Sequence, residues 1–400
     1  MRIDNFILQN TLHNCVGCFA CGNICPKRCI DIKKDDEGFV YASVNEEECI
    51  NCGKCARVCP CINADKNKEE QTLFAARSKS DDVRMRGSSG GIFEELAKKL
   101  LKDGYYICGA AFDDKLKLKH KIISSYEDLK PILKSKYLQS DISDIFPKVN
   151  ELLKDGKKVL FCGTPCQVSA LKNFVGNNNG NLVTVDIICH GVPSQDIFDD
   201  YIKTLEDENG GKVKDFSFRV KNNKYHHAHG FSYSCEKDGK CETVNGIYTQ
   251  SSYYNAFKKY LIFRKSCYNC KYATLERVSD ITLGDFWSLE KYDIHANTDK
   301  GESLVLANTA LGKELLMKID NAILKEYPVK YAVDTNYCLT KSTKQPASRD
   351  LIFKELALNG YKFTSQKYFR GGNGIKNKLG WSIPPAVRNL LRVIRGKINV

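Results

Sequence analysis

The sequence has no apolar run near the roughly 18 residues that span a bilayer. Its opening, Met1 to Asn10, shows neither the basic n-region nor the long apolar h-region of an export signal. It contains no Rossmann G-x-G-x-x-G and no Walker loop. No nucleic-acid-binding module accompanies the net charge of +13. These absences argue against a membrane-spanning, an exported and a nucleic-acid-binding chain, and the expected location is cytoplasmic. Cysteine is the opposite case, with 19 in 400 residues. In an unexported chain that many thiols imply metal ligands in a reducing compartment, not a disulfide framework.

Two runs near the N-terminus carry the clearest signal: Cys15-x2-Cys18-x2-Cys21-x3-Cys25-Pro26 and Cys49-x2-Cys52-x2-Cys55-x3-Cys59-Pro60. This is the bacterial two-cluster ferredoxin spacing, in which the fourth cysteine of each run ligates the other cluster. The expected sets are Cys15, Cys18, Cys21 and Cys59 for one 4Fe–4S cluster, and Cys49, Cys52, Cys55 and Cys25 for the other. Zinc sites usually present paired ligands, not such a doubled run. The expected chemistry is single-electron transfer.

The length allows two or three domains. A ferredoxin-like unit occupies residues 1–63, and the polar stretch Asn63 to Gln71 is a linker. A larger domain covers 72–335 and a basic region 336–400. Strands are expected over Leu73 to Arg77, Tyr105 to Phe112, Lys157 to Phe161, Leu182 to Cys189, Phe216 to Val220 and Phe231 to Glu236, the last turning at Asp238-Gly239. Helices are expected over Gly90 to Leu101, Leu129 to Leu133, Ile145 to Leu153 and Ile197 to Leu205. The fold class is therefore α/β, with α+β mixing and some antiparallel pairing. Pro384 to Val400 reads as a basic amphipathic helix, suited to an anionic membrane surface or an acidic partner, or else packed on its own domain.

Cys166, Cys189, Cys267 and Cys270 are candidates for a third site, since Cys267-x2-Cys270 is a chelating pair and the other two follow strands. Cys162 can replace one of them, and lone thiols also serve as small buried hydrophobes. Cys29, Cys61, Cys108, Cys235, Cys241 and Cys338 read as structural, with Cys235 and Cys241 out of direct opposition in their hairpin. Ser88-Ser89-Gly90-Gly91 and Gly163-Thr164-Pro165 each precede a helix, with Thr164 suited to the N-cap and Pro165 to position N1. Free amides there can cradle the phosphates of a dinucleotide, or the loops are simple helix starts.

Arg86-Gly-Ser-Ser-Gly-Gly-Ile-Phe93, Lys136-Tyr-Leu-Gln-Ser140, Gly163-Thr-Pro-Cys-Gln167, Cys189-His-Gly-Val-Pro193, Cys267-Tyr-Asn-Cys270 and Ser279-Asp-Ile-Thr-Leu-Gly-Asp-Phe-Trp287 together resemble the coenzyme F420 hydrogenase/dehydrogenase beta-subunit family. The resemblance implies FAD in the α/β domain and a third 4Fe–4S cluster close to it, on Cys166, Cys189, Cys267 and Cys270. It implies FAD contacts from Ser88, Ser89, Gly90, Gly91, Gly163, Thr164, Pro165 and Gln167, with Lys136, Tyr137, Gln139 and Ser140 nearby. Partners implied are an external electron carrier, a ferredoxin or an F420-like compound, and a small or sugar-linked substrate, with a link to polysaccharide synthesis. An F420-dependent reductase and a non-catalytic electron relay are the alternatives. Asp285 and Arg277 can position substrate or flavin. His190, His226, His227 and His229 read mainly as surface or core residues, and Trp287 as a packing residue.

Overall fold

The computed structural model describes residues 14–64, 66–176, 180–222 and 225–371, with the backbone alone over 222 and 225–229. Two short helices, Ala20–Ile24 and Lys54–Val58, flank the antiparallel pair β1 (Ile30–Lys34) and β2 (Val40–Val44). Each helix starts on a left-handed residue, Phe19 or Gly53, and stops at a cysteine, Cys25 or Cys59. The prolines that follow have no amide to continue the ladder.

The next strands are β3 (Thr72–Ser78), β4 (Tyr105–Phe112), β5 (Leu118–Ile123), β6 (Lys158–Gly163) and β7 (Leu182–Ile187). A separate antiparallel sheet holds β8 (Lys212–Asn222), β9 (Tyr225–Lys237) and β10 (Lys240–Ile247). The chain then returns to the first sheet with β11 (Ile281–Asp285), β12 (Ser303–Ala307) and β13 (Ala322–Tyr327). The order is β13-β3-β12-β11-β7-β6-β4-β5. Its centre, β4, β6, β7 and β11, is parallel, and the flanks are antiparallel. The fold is mixed α/β with a ferredoxin-like N-terminal region.

Alternation along the parallel strands builds two core layers. Ile107, Leu160, Val183 and Val185 pack against Ile92, Leu96 and Leu100 of helix Ile92–Lys102. Val159 and Phe161 face the other way, against Phe146, Val149, Val168 and Leu171. Cys18, Ala20 and Val58 of the ferredoxin unit join this second layer, so the unit is docked through apolar burial.

One expectation is corrected, and two gain structural detail. The stretch Leu129 to Leu133 holds only a 3₁₀ turn, Lys130–Ile132, because Leu133 turns extended and Lys134 takes a left-handed φ of +69°. The linker is tied down: Asn67 donates its amide to Arg277 O at 2.8 Å and its side chain to Ser279 O at 2.6 Å, and Gln71 reaches Leu275 O at 2.9 Å. The chain beyond 335 is no simple tail as far as residue 371, since Ile352, Phe353, Tyr361 and Phe369 are buried in the aromatic core beside β8 and β9. From there Arg349, fully buried, clasps Glu37 of the ferredoxin unit at 2.5 and 2.8 Å. The expected helix Pro384 to Val400 lies outside the described residues. The hairpin register pairs Cys235 with Glu242 and Cys241 with Glu236, so the two thiols do not oppose one another.

His120 of β5 is buried, stacked on Phe161 at 5.2 Å, with Nε2 donating to Cys162 O at 3.0 Å. Nδ1 has no partner among the described residues, and burial pushes the pKa down to about 4. Protonation therefore favours the unfolded chain, and the stability held above about pH 6.5 is lost as pH falls towards about 4. Replacing His120 by Leu is expected to flatten this acid limb by about 3 kcal/mol, read from thermal unfolding of both proteins at neutral pH and near pH 4.5.

Candidate functional site: three thiol-lined cavities

Cys15, Cys18, Cys21 and Cys59 line one cavity, and Cys25, Cys49, Cys52 and Cys55 line another. Each short helix carries its run's fourth cysteine away from the first three and delivers it to the neighbouring set. Burial, reinforced by neighbouring thiols, pushes Cys18 and Cys21 well up, so loading iron must release protons. Among the described residues no three Cys, His, Asp or Glu side chains are close enough to share one ion. The doubled four-cysteine run, in place of the paired ligands usual for zinc, is what suits these sets to multi-iron cubes.

Cys166, Cys189, Cys267 and Cys270 line a third cavity of about 960 Å³. Cys166 opens helix Pro165–Val175 just after β6, Cys189 follows β7, and the pair sits on and just after the 3₁₀ turn Lys265–Asn269. Cys162 is not in this lining; it sits on β6, its thiol pushed up to about 12 by burial and by Asp186. Arg277 has a structural post, not the positioning role expected of it. Its guanidinium is buried on Asp186 at 2.9 Å and bonds Thr282 Oγ1, Tyr272 O, Thr274 O and Ile187 O, which pins the Cys270 loop to β7 and β11.

The first and third cavities share a wall, Asn14, Val16, Pro60 and Cys61. Tyr272 donates to Pro60 O at 2.7 Å, and Lys271 to Cys61 O at 2.5 Å. Gln139 donates to Val16 O at 3.0 Å, so its side chain serves this wall.

The two glycine-containing loops differ. In the first, Ser135 N donates to Ser88 Oγ, Ser89 Oγ to Glu302 O and Gly90 N to Ser303 Oγ. A Cβ on Gly90 would lie 2.3 Å from Ala76 O, so this glycine admits β3. Gly91, at φ +85°, caps helix Ile92–Lys102, whose first turn already holds Glu94 and Glu95. That end is poorly suited to phosphate. Helix Pro165–Val175 has no acidic residue in its first turn. Thr164 is its N-cap, Pro165 stands at its start, and Gln167 Oε1 accepts from Thr164 N at 3.0 Å while Gln167 Nε2 donates to Ser140 Oγ at 3.0 Å. A Cβ on Gly163 would crowd Phe161 and Gln167. Lys136 donates to Pro131 O and Leu133 O, and burial pushes its pKa down to about 7. Tyr137 packs among Phe218, Tyr254 and Phe257.

Asp285 ends β11 in a bidentate pair with Arg219 at 2.5 and 3.1 Å. A cavity of about 580 Å³ joins them to Ser88, Lys221, Trp287 and Glu302. Trp287 is 41 % exposed with the Arg219 guanidinium 5.9 Å from its ring centre, so it is not the packing residue expected. Sequence reasoning does not find Arg219 and Lys221: β8 carries no motif, and only the packing of its separate sheet beside β11 brings them to Asp285. His190 faces Tyr337 OH and Cys338 Sγ, each at 3.3 Å. The side chains of His226, His227 and His229 lie outside the description.

Three family models match the chain. Residues 73–146 match the N-terminal part of the coenzyme F420 hydrogenase/dehydrogenase beta subunit, residues 156–330 match the C-terminal part of the same family, and residues 14–63 match a 4Fe-4S dicluster domain. Among solved structures, a chain of the F420-reducing [NiFe] hydrogenase complex from Methanosarcina barkeri is 18% identical, with 78% of this chain and 97% of that chain covered and a TM-score of 0.41. No curated protein matches.

Replacing Cys25 by Ala is expected to remove the cluster held with Cys49, Cys52 and Cys55, and to spare that of its own run. Iron should fall by about four atoms per chain, with the surviving cluster identified by electron paramagnetic resonance.

Proposed function

This chain belongs to the coenzyme F420 hydrogenase/dehydrogenase beta-subunit family, and we propose that it is an iron–sulfur flavoprotein oxidoreductase. In this reading three 4Fe–4S clusters exchange electrons with FAD, and the FAD reduces or oxidises a small or sugar-linked substrate. When bound, the clusters supply single electrons, commonly near about −400 mV in ferredoxin-type centres, and the flavin couples them to hydride chemistry.

One observation carries the reading: the dicluster unit shares a wall with a cavity holding four further cysteines. The second thiol set is the outermost, with Cys52 and Ile50 exposed, and meets an external one-electron carrier. Thr164 and Cys166 stand one residue apart, so the residues that would hold flavin phosphate adjoin those that would hold the third cluster. The amide end of helix Pro165–Val175 and Lys136 hold the phosphates; a bound phosphate also restores the charge that burial disfavours on Lys136. Arg219, Asp285 and Trp287 face the substrate from the 580 Å³ cavity.

Anaerobically purified protein is expected to carry about twelve iron atoms per chain and bound FAD. Dithionite should bleach the flavin, and an organic acceptor should restore its colour. Recovery only with coenzyme F420 would assign that carrier as substrate. Absence of flavin after gentle isolation and reloading would leave an electron relay. Lys136→Glu is expected to cut flavin occupancy at least about tenfold, the cost of one misplaced charge, with iron unchanged.

A further inference from the structure

Arg264 is 1 % exposed and reaches from the wall of the third cavity into the backbone that carries the first thiol set. Its Nε donates to Cys15 O at 2.8 Å, Nη1 to Gln139 Oε1 at 3.1 Å and Nη2 to Val40 O. Its guanidinium lies over Tyr41 at 4.4 Å and Phe39 at 5.3 Å. These partners are all neutral. Among the described residues no carboxylate lies within ion-pair distance of it, whereas the buried Arg219, Arg277 and Arg349 face Asp285, Asp186 and Glu37. A buried guanidinium without a counter-charge is costly. A 4Fe–4S cube on four thiolates is anionic and gains a further negative charge on reduction.

We infer that Arg264 is the shared counter-charge of the first and third clusters, a positioning residue that raises the reduction potentials of both. The electron leaves one cluster and enters the other; no bond breaks, and the guanidinium keeps its proton. The inference rests on the third cluster of the proposed function.

The test is a redox titration of the full chain, followed by electron paramagnetic resonance, with iron counted in each sample. In Arg264→Gln the iron should stay. The reduced-to-oxidised ratio of the first cluster at fixed ambient potential should fall about tenfold, equivalent to about 59 mV for one electron. Arg264→Lys should recover most of the ratio. Gln139→Glu leaves the arginine in place but neutralises it, and should lower the ratio in the same direction, which covers an Arg264→Gln chain that fails to fold. An unmoved ratio in Gln139→Glu, or an equal fall in Arg264→Lys and Arg264→Gln, would overturn the inference and leave a structural clasp. A wild-type chain with only about eight iron atoms would instead overturn the third cluster, and the bridge with it.

Discussion

A strip of backbone made by Asn14, Val16, Pro60 and Cys61 faces the first thiol set on one side and the four-cysteine cavity on the other. The proposed electron path crosses this strip, and one-electron exchange weakens steeply with distance, so on that proposal the wall must stay thin and still. Two kinds of force hold it. The apolar seam of Cys18, Ala20 and Val58 against Phe146, Phe161 and Val168 gains roughly 25 cal/mol per Å² of apolar surface buried. The hydrogen bonds from Tyr272, Lys271 and Gln139 each contribute only about 1 kcal/mol net. They end on backbone carbonyls of the strip, however, and so set its register. Burial keeps the unit attached; directional bonds decide where its thiols point.

The α/β domain repeats this division. Cys166 and Cys189 arrive at the carboxyl ends of β6 and β7, where open parallel sheets place their ligands. The Cys267 and Cys270 turn lies on irregular chain with no ladder of its own. Arg277 replaces that ladder with bonds to three carbonyls, one hydroxyl and Asp186. Removing one partner of such a buried pair typically costs about 3–5 kcal/mol, so the residue belongs to the site through geometry alone.

What was legible in the sequence was local. The doubled cysteine run, the Pro165 helix start, the buried strands β4 and β6 and the Asp238-Gly239 turn each depend on residues a few places apart. The exposed Trp287 and the Arg219–Asp285 pair were not legible, because β8 and β11 meet only after some sixty intervening residues have folded. The same holds for the linker and for residues 336–371, whose polar or basic composition hid the contacts that bury them.

Spacing determined that this chain carries an iron–sulfur dicluster unit ahead of a mixed α/β domain, since short-range ligand geometry and strand periodicity are written in neighbouring residues. Tertiary structure alone decided that Cys166, Cys189, Cys267 and Cys270 share one cavity, that this cavity abuts the first thiol set, and that a buried arginine stands between them. Those are distances between elements up to 249 positions apart in the chain, and only the packing of sheet, helices and ferredoxin unit sets them.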